Sequence, residues 1–353
     1  MKLDKKKIFD ELRILFVLVV VAFTVKATLV EIYVVPTGSM ENEILVGDML
    51  IGNKFIYGMR TPTWIGLPYS RLGFNIPWLR LPKYKPVENG DVTIFEFPRD
   101  PFQKYVKRCI GIAGDEISIS MGNIIINGHQ IKFPENAKYI KGHVYEPEKE
   151  QRLYPALKGN MDNIDKFTVP YKGMKIDFTD VNDWTSIITL LTQDGNDVRM
   201  GDRKFTVIDP QEVGRTHGFI KYKLMGLFMN SSMVQQKEYK ARSKYVSSLV
   251  ESNRSKGLYN PWEFTVRPED HKVIYDNLVV NGEYIKDIGS YTIIHDYYFF
   301  IGDNRDNSYD SRFWGFVPDK QILGTPLVSI INLANITSIL TDPFKFLRLN
   351  IVS

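Results

Sequence analysis

Apolar positions follow two regimes along the chain. From Ile14 to Val25 no charge interrupts them, behind a flank that holds Lys2, Lys5, Lys6, Lys7 and Arg13. That stretch is twelve residues long, short of the roughly 17–25 that cross a hydrocarbon core. It reaches that length only as Leu12 to Val30, with Lys26 snorkelling to the interface. A cleaved signal sequence would fit the charge and the run, but Val25-Lys26-Ala27 is a poor small-x-small cleavage site. A buried amphipathic helix is the remaining alternative. The reading adopted is a single N-terminal transmembrane helix, with the Lys-rich flank cytoplasmic and everything after Glu31 exported.

Beyond Glu31 the apolar residues come in short runs, some alternating and some continuous, bounded by Gly, Asn, Asp and Pro: Val92 to Phe97, Ile117 to Ile119, Ile124 to Ile126, Leu278 to Val280 and Tyr297 to Ile301. Such runs predict half-buried strands. Asn127-Gly128 and Asn281-Gly282 follow two of them and predict two-residue hairpins, since both turn positions need positive φ. The segments Asn123 to Ile131 and Asn277 to Ile285 echo each other, 154 residues apart, either because one hairpin solution recurs or because the second resumes a fold that the intervening segment interrupts. Between them lie apolar runs at Phe167 to Val169, Ile187 to Leu191 and Phe219 to Phe228, and a helix-compatible stretch from Val234 to Ser255. The expected organisation is an anchor over residues 1–30 and a mainly β, antiparallel catalytic unit over 31–131 plus 276–340. An α+β subdomain is inserted at 132–275, and a tail closes the chain at 341–353. The run from Ile322 to Leu340 contains Asn332 and Asn335, so a final strand and a peripheral segment are expected in place of a second span.

Composition narrows the class. The 353 residues are 44% hydrophobic and 24% charged, which excludes wholesale disorder and a polytopic membrane protein. A formal charge of +4 gives no concentrated basic field, so nucleic acid is not an expected partner. The lone Cys109 supplies neither a disulfide nor a Cys-rich zinc site.

Three clusters carry candidate chemistry. In Pro36-Thr-Gly-Ser-Met40 a serine follows a glycine in a Pro-bounded turn; it is an ordinary turn or an exposed nucleophile. A serine hydroxyl needs a base, and none of the five histidines, His129, His143, His217, His271 and His295, sits in a triad-like motif. Lysine serves as a base only when burial lowers its pKa. Lys107, in Tyr105 to Gly111, is flanked by Val106 and Arg108, which alternation puts on the opposite strand face; it is a buried base or a solvent-facing lysine on an edge strand. The third cluster, Gly302 to Gly315, packs short polar groups behind an apolar strand. It is rich in oxygen ligands, but it lacks the central Gly and closing Glu of an EF-hand.

Taken together, the anchor, Pro36 to Asp48, Asn89 to Pro98, Tyr105 to Asp115 and Gly302 to Pro318 resemble, in that order, bacterial type I signal peptidases. These are membrane-anchored Ser/Lys endoproteases that remove signal peptides. The resemblance implies that Ser39 is the acyl-forming nucleophile and Lys107 its general base. It implies that Ser308 orients Lys107 and that Thr37, with the Ser39 N–H, forms the oxyanion hole. Tyr33, Val35 and Val106 would shape shallow pockets for small side chains at positions one and three before the cleaved bond. Met40, Arg108, Asp303, Asp310 and Arg312 would support the site. The implied partners are exported preproteins, membrane lipid and the secretion translocon, with no cofactor and no metal. The implied place is the inner membrane, single-pass, with the catalytic domain on the periplasmic side. The aromatic stretch from Phe55 to Trp78, with Trp64, Tyr69 and Phe74, is a candidate for the headgroup layer.

Two departures from the family pattern stand out. Asn42-Glu43-Ile44 replaces a Pro-Thr-Leu run, and Ala113 replaces a proline. Both shape turns and leave proton transfer untouched. A self-cleaving repressor-type protease and a non-catalytic tether that keeps the scaffold are the alternatives. The anchor and the Gly302 loop weigh against the first, and the intact Ser39, Lys107 and Ser308 against the second.

Overall fold

The short apolar runs of the sequence form strands, though not all of them half-buried. In the computed structural model, Asp48–Asn53 alternates buried and half-buried positions along its length, whereas Val92–Phe97 and Tyr297–Ile301, expected as half-buried strands, are buried along their whole length because other parts of the chain cover both faces of the sheet there. The structure describes residues 5–66, 71–132, 134–135, 137–139, 145–149, 151–216, 231–263, 266–267, 269–340 and 342–352. The run Phe219 to Phe228, Tyr69, His143 and His217 lie outside them.

One eight-stranded sheet organises the site. Its order runs Val30–Val34, Asp48–Asn53, Ile322–Asn332, Val92–Phe97, Asp100–Gly111, Tyr297–Ile301 and Val317–Pro318, and Leu347–Ile351 also pairs with Ile322–Asn332. Every pairing in it is antiparallel. The run from Ile322 thus supplies a central strand, and Leu333–Leu340 follows as a short irregular helical segment. Two five-stranded sheets are built on the Asn-Gly hairpins. Asn127 and Asn281 have φ of 52° and their glycines 81° and 94°, as the dipeptides require. Asn163–Thr168 pairs with Glu116–Ser120, and Val198–Met200 pairs with Leu278–Val280. Strands from residues 132–275 therefore extend the sheets of both hairpins. The charged stretch forms the helix Ser231–Ser255, which packs on the helix Pro210–Thr216, where Gly214 leaves room for Val246.

Lys5–Thr28 is a single helix of 24 residues, about 36 Å at 1.5 Å per residue. Its described apolar side chains, among them Phe9, Leu12, Ile14 and Phe16, are exposed. Among the described residues no helix is long and apolar enough to cross a membrane. The expected helix is present, and its crossing is not shown; the side chain of Lys26, on which the length argument depends, is outside the description.

Aromatic packing holds the large sheet to the loop that follows Tyr297–Ile301. Phe95 stacks on Phe300 with ring centroids 4.5 Å apart and meets Trp314 at 5.9 Å. Phe97 stacks on Tyr105 at 4.5 Å. All but Tyr105 of these are fully buried. Truncating a ring in such a setting removes transfer energy and leaves a cavity, so Phe95→Ala is expected to cost about 3–5 kcal/mol. Urea unfolding checks this, and a loss under about 1 kcal/mol would show that the stack contributes little.

Candidate active site

Val34 ends the edge strand because Pro36 has no N–H to continue a ladder. The chain then turns. Val35 still donates to the Asp48 carbonyl at 2.9 Å, Glu41 N–H donates to the Gly38 carbonyl at 3.2 Å, and Ile44 N–H donates to the Met40 carbonyl at 2.8 Å. Met40 and Ile44 are buried with Val35, Leu50 and Val92, and Tyr33 and Val106 pack against this cluster. The turn is thereby pinned to the sheet face, with Ser39 buried at its apex and Thr37 exposed beside it.

Lys107 reaches the same point from the strand Asp100–Gly111. Residues Val106 and Lys107 pair with Ile94 and Thr93, so alternation sends Val106 to the cluster and Lys107 to the other face. Its Nζ lies 2.5 Å from Ser39 Oγ and donates to the Val106 carbonyl at 3.1 Å. Only 4% of Lys107 is exposed. Burial pushes its pKa down from 10.5 to about 8, against the pull of the Asp310 and Asp303 carboxylates. A fixed, desolvated amine in contact with a serine hydroxyl is what proton abstraction by lysine needs.

The loop after Ile301 locks both partners. Asn304 N–H donates to the Ser39 carbonyl at 3.0 Å, its Nδ2 donates to the Gly38 carbonyl at 3.0 Å, and Asp303 N–H meets Met40 Sδ at 3.4 Å. Arg108 grips Asp303 through Nε at 2.9 Å and a terminal nitrogen at 2.7 Å. Asp310 takes two bonds of 2.8 Å from Arg312, and both residues are buried. Burial opposes the Asp310 charge, yet the Arg312 guanidinium holds its carboxyl below the usual range. Arg312 also donates to the carbonyls of Met161 and Arg305, tying the loop to the neighbouring sheet. Ser308 is buried beside Gly302, and among the described residues no hydrogen bond joins it to Lys107.

Sequence motifs flagged Ser39, Lys107, Ser308, Met40, Arg108, Asp303, Asp310 and Arg312, and all eight converge here. Gly302 and Asn304 were not singled out for the site. A Cβ on Gly302 would lie 2.3 Å from Ser308 Oγ and 2.5 Å from the Ser39 carbonyl oxygen. The glycine is therefore a spacing requirement, for which a lone Gly at the strand end was the one available sign. Among the described histidines, His295 pairs with Asp319 and His129 is exposed on a hairpin, and none bonds Ser39. No group of three or more His, Cys, Asp or Glu side chains among the described residues is placed to hold a metal ion.

The sequence is 23% identical over 319 residues to Signal peptidase I of Buchnera aphidicola subsp. Baizongia pistaciae, covering 90% of this chain and 75% of that one. It is 25% identical over 341 residues to Signal peptidase I of Helicobacter pylori strain J99, covering 93% and 82%. Over 160 residues it is 31% identical to Signal peptidase I of Rickettsia bellii, covering 45% and 51%. The profile of the family described as Signal peptidase, peptidase S26 matches residues 8–176 and 220–331, which include every residue of the Ser39, Lys107 and Gly302 clusters. With most of its length matched and a buried lysine set against a serine at the centre of that match, the chain belongs to the signal peptidase family, peptidase S26.

Proposed function

We propose that this chain removes N-terminal signal peptides from exported preproteins after small-x-small sequences, with Ser39 and Lys107 as a dyad. The contact of 2.5 Å between a buried, pKa-lowered Lys107 and Ser39 carries the reading. Neutral Lys107 takes the Ser39 proton as Oγ adds to the scissile carbonyl. The resulting ammonium then returns that proton to the leaving amine as the C–N bond breaks, leaving an ester on Ser39. Neutral again, Lys107 deprotonates a water that attacks the ester, and its proton goes back to Ser39 as the acid departs. The Ser39 N–H and the exposed Thr37 hydroxyl stabilise the oxyanion. Ser308 orients Lys107 once it is protonated.

Two free strand edges flank the dyad. Among the described residues, Val30–Val34 pairs on one side only, and within Asp100–Gly111 the residues before Arg108 pair with Val92–Phe97 alone. An extended substrate lies between these edges. Tyr33, Val35 and Val106 bound the shallow pockets for positions one and three before the cleaved bond. The helix Lys5–Thr28 anchors the enzyme in the inner membrane, with the N-terminus cytoplasmic and the catalytic unit exported. Anchoring keeps enzyme and substrate on one surface and raises their effective concentration. The exposed Phe74, Leu72 and Leu79 meet the headgroup layer, and residues 132–275 are an insertion built on the two hairpins. The translocon is the expected source of substrate.

Because the neutral lysine is the working form and its pKa is near 8, kcat/KM should rise about tenfold per pH unit below pH 8 and level off above it. Detergent-purified protein, a precursor peptide and mass mapping of the cut site test this together. Cleavage elsewhere than after small-x-small, or a rate that falls as pH rises from 6 to 8, would overturn the reading.

A further inference from the structure

Beyond Tyr33 and Val106 the same sheet face opens into a cavity of about 760 Å³, roofed by the hairpin Trp64–Gly66 and Gly73–Asn75. Glu31 stands two residues before Tyr33 on one free edge strand, and Lys104 two residues before Val106 on the other, so alternation brings both to the cavity side. Two residues of strand advance about 6.7 Å, which is also the step between alternate residues of an extended peptide.

The charges there are arranged unevenly. Glu31 is matched by Lys54 at 3.1 Å and accepts from Tyr33 Oη at 2.8 Å. Glu96 alone faces two cations: Arg60 binds both its oxygens, at 2.6 and 3.1 Å, and Lys104 Nζ lies 2.8 Å from one of them. Arg60 and Glu96 are buried, whereas Lys104 is 28% exposed in its side chain. Arg60, Glu96 and Lys104 thus leave one net positive charge around Glu96, while Lys320, also in the lining, turns its ammonium to the Gln193 carbonyl.

We propose that this cavity receives the side chain of the fifth residue before the cleaved bond, and selects an acidic or amide group there over lysine or arginine. The proposal rests on the peptidase reading, in which Tyr33 and Val106 contact residues one and three. Adding a carboxylate completes the charge balance around Glu96, and adding a second ammonium worsens it.

Three peptides test this, identical except for Glu, Ala or Lys at the fifth position before the cut. The expected kcat/KM order is Glu, Ala, Lys, with about tenfold or more between the ends, equal to about 1.4 kcal/mol. Lys104→Glu should invert the order and Lys104→Gln should flatten it, with circular dichroism confirming that both variants fold. Equal cleavage of the three peptides by the unsubstituted enzyme overturns the subsite and leaves the peptidase intact. Failure to cleave any of them in a Ser39-dependent manner overturns both. If both Lys104 variants keep the peptide order but lose binding to phosphatidylglycerol vesicles, the cavity serves lipid and the proposal falls.

Discussion

Lys107→Met is expected to lose about a thousandfold or more in turnover and, at the same time, to make the protein more stable. The first effect follows from removal of the amine in contact with Ser39, since general bases contribute about 10²–10⁴-fold and the proposed dyad depends on this one. The second follows from the sign of the pKa shift. Burial lowers the folded-state value from 10.5 to about 8, so below pH 8 the native protein holds a charged ammonium that the unfolded chain solvates better. That cost is present in full below about pH 8 and disappears as pH approaches 10.5, where the amine is neutral in both states. At about 1.36 kcal/mol per unit the upper limit is about 3 kcal/mol, reduced by whatever the Ser39 contact returns. Methionine fills similar volume without charge. Ser39→Ala provides the contrast, because it should lose turnover equally while leaving the buried ammonium in place. Kinetics with the precursor peptide and urea unfolding at pH 7 and pH 10 read both quantities. Retained turnover in Lys107→Met would remove the dyad, and a loss of stability at pH 7 would mean that Lys107 is held by attractions stronger than its burial cost.

The candidate site residues were legible because their identities are restrictive. A serine in a Pro-Gly turn, a lysine within an apolar strand and a dense run of Asp, Asn, Ser and Arg are each unusual locally. The hairpins were legible for the same reason, since Asn-Gly imposes positive φ at both positions. What the sequence did not reveal depends on distance between segments remote in the chain. Asn304 matters because its N–H faces the Ser39 carbonyl, 265 positions earlier, and nothing in its neighbours encodes that meeting. The cavity beside Glu96 is assembled from Glu31, Arg60 and Lys104, none of which stands out in its own surroundings. Strand order was equally hidden: alternation identifies strands, but only packing places Ile322–Asn332 between Asp48–Asn53 and Val92–Phe97. For the N-terminal helix, hydrophobicity and position favoured a membrane span, while the described residues show a helix with exposed apolar side chains, none of their helices being long and apolar enough to cross a membrane.

Gly302→Ala, a change of one methyl group, is expected to lower kcat by about a hundredfold or more. Gly302 does not adopt positive φ, so backbone strain is not the cause; the cause is space. The added carbon would stand 2.3 Å from Ser308 Oγ, 2.7 Å from Ser308 Cβ and 2.5 Å from the Ser39 carbonyl oxygen. The hydroxyl can rotate away, but the carbonyl belongs to the nucleophile's own backbone and is held by the Asn304 N–H at 3.0 Å. Relief therefore requires the Gly302 loop and the Ser39 turn to separate, which moves Oγ relative to Nζ. Misplacement of reacting groups by about 1 Å costs on the order of 10²-fold, whereas overpacking of this kind typically costs about 1–3 kcal/mol of stability. The protein should thus remain folded and bind peptide while turning it over poorly, a fall in kcat with little change in KM. A second substitution separates the two clashes. Ser308→Gly removes both contacts with Ser308 but leaves the one with the Ser39 carbonyl, so Gly302→Ala should still lower kcat about a hundredfold when introduced into the Ser308→Gly background. If the alanine costs nothing there, the displaced group is Ser308, and Gly302 serves the orienting serine and not the nucleophile.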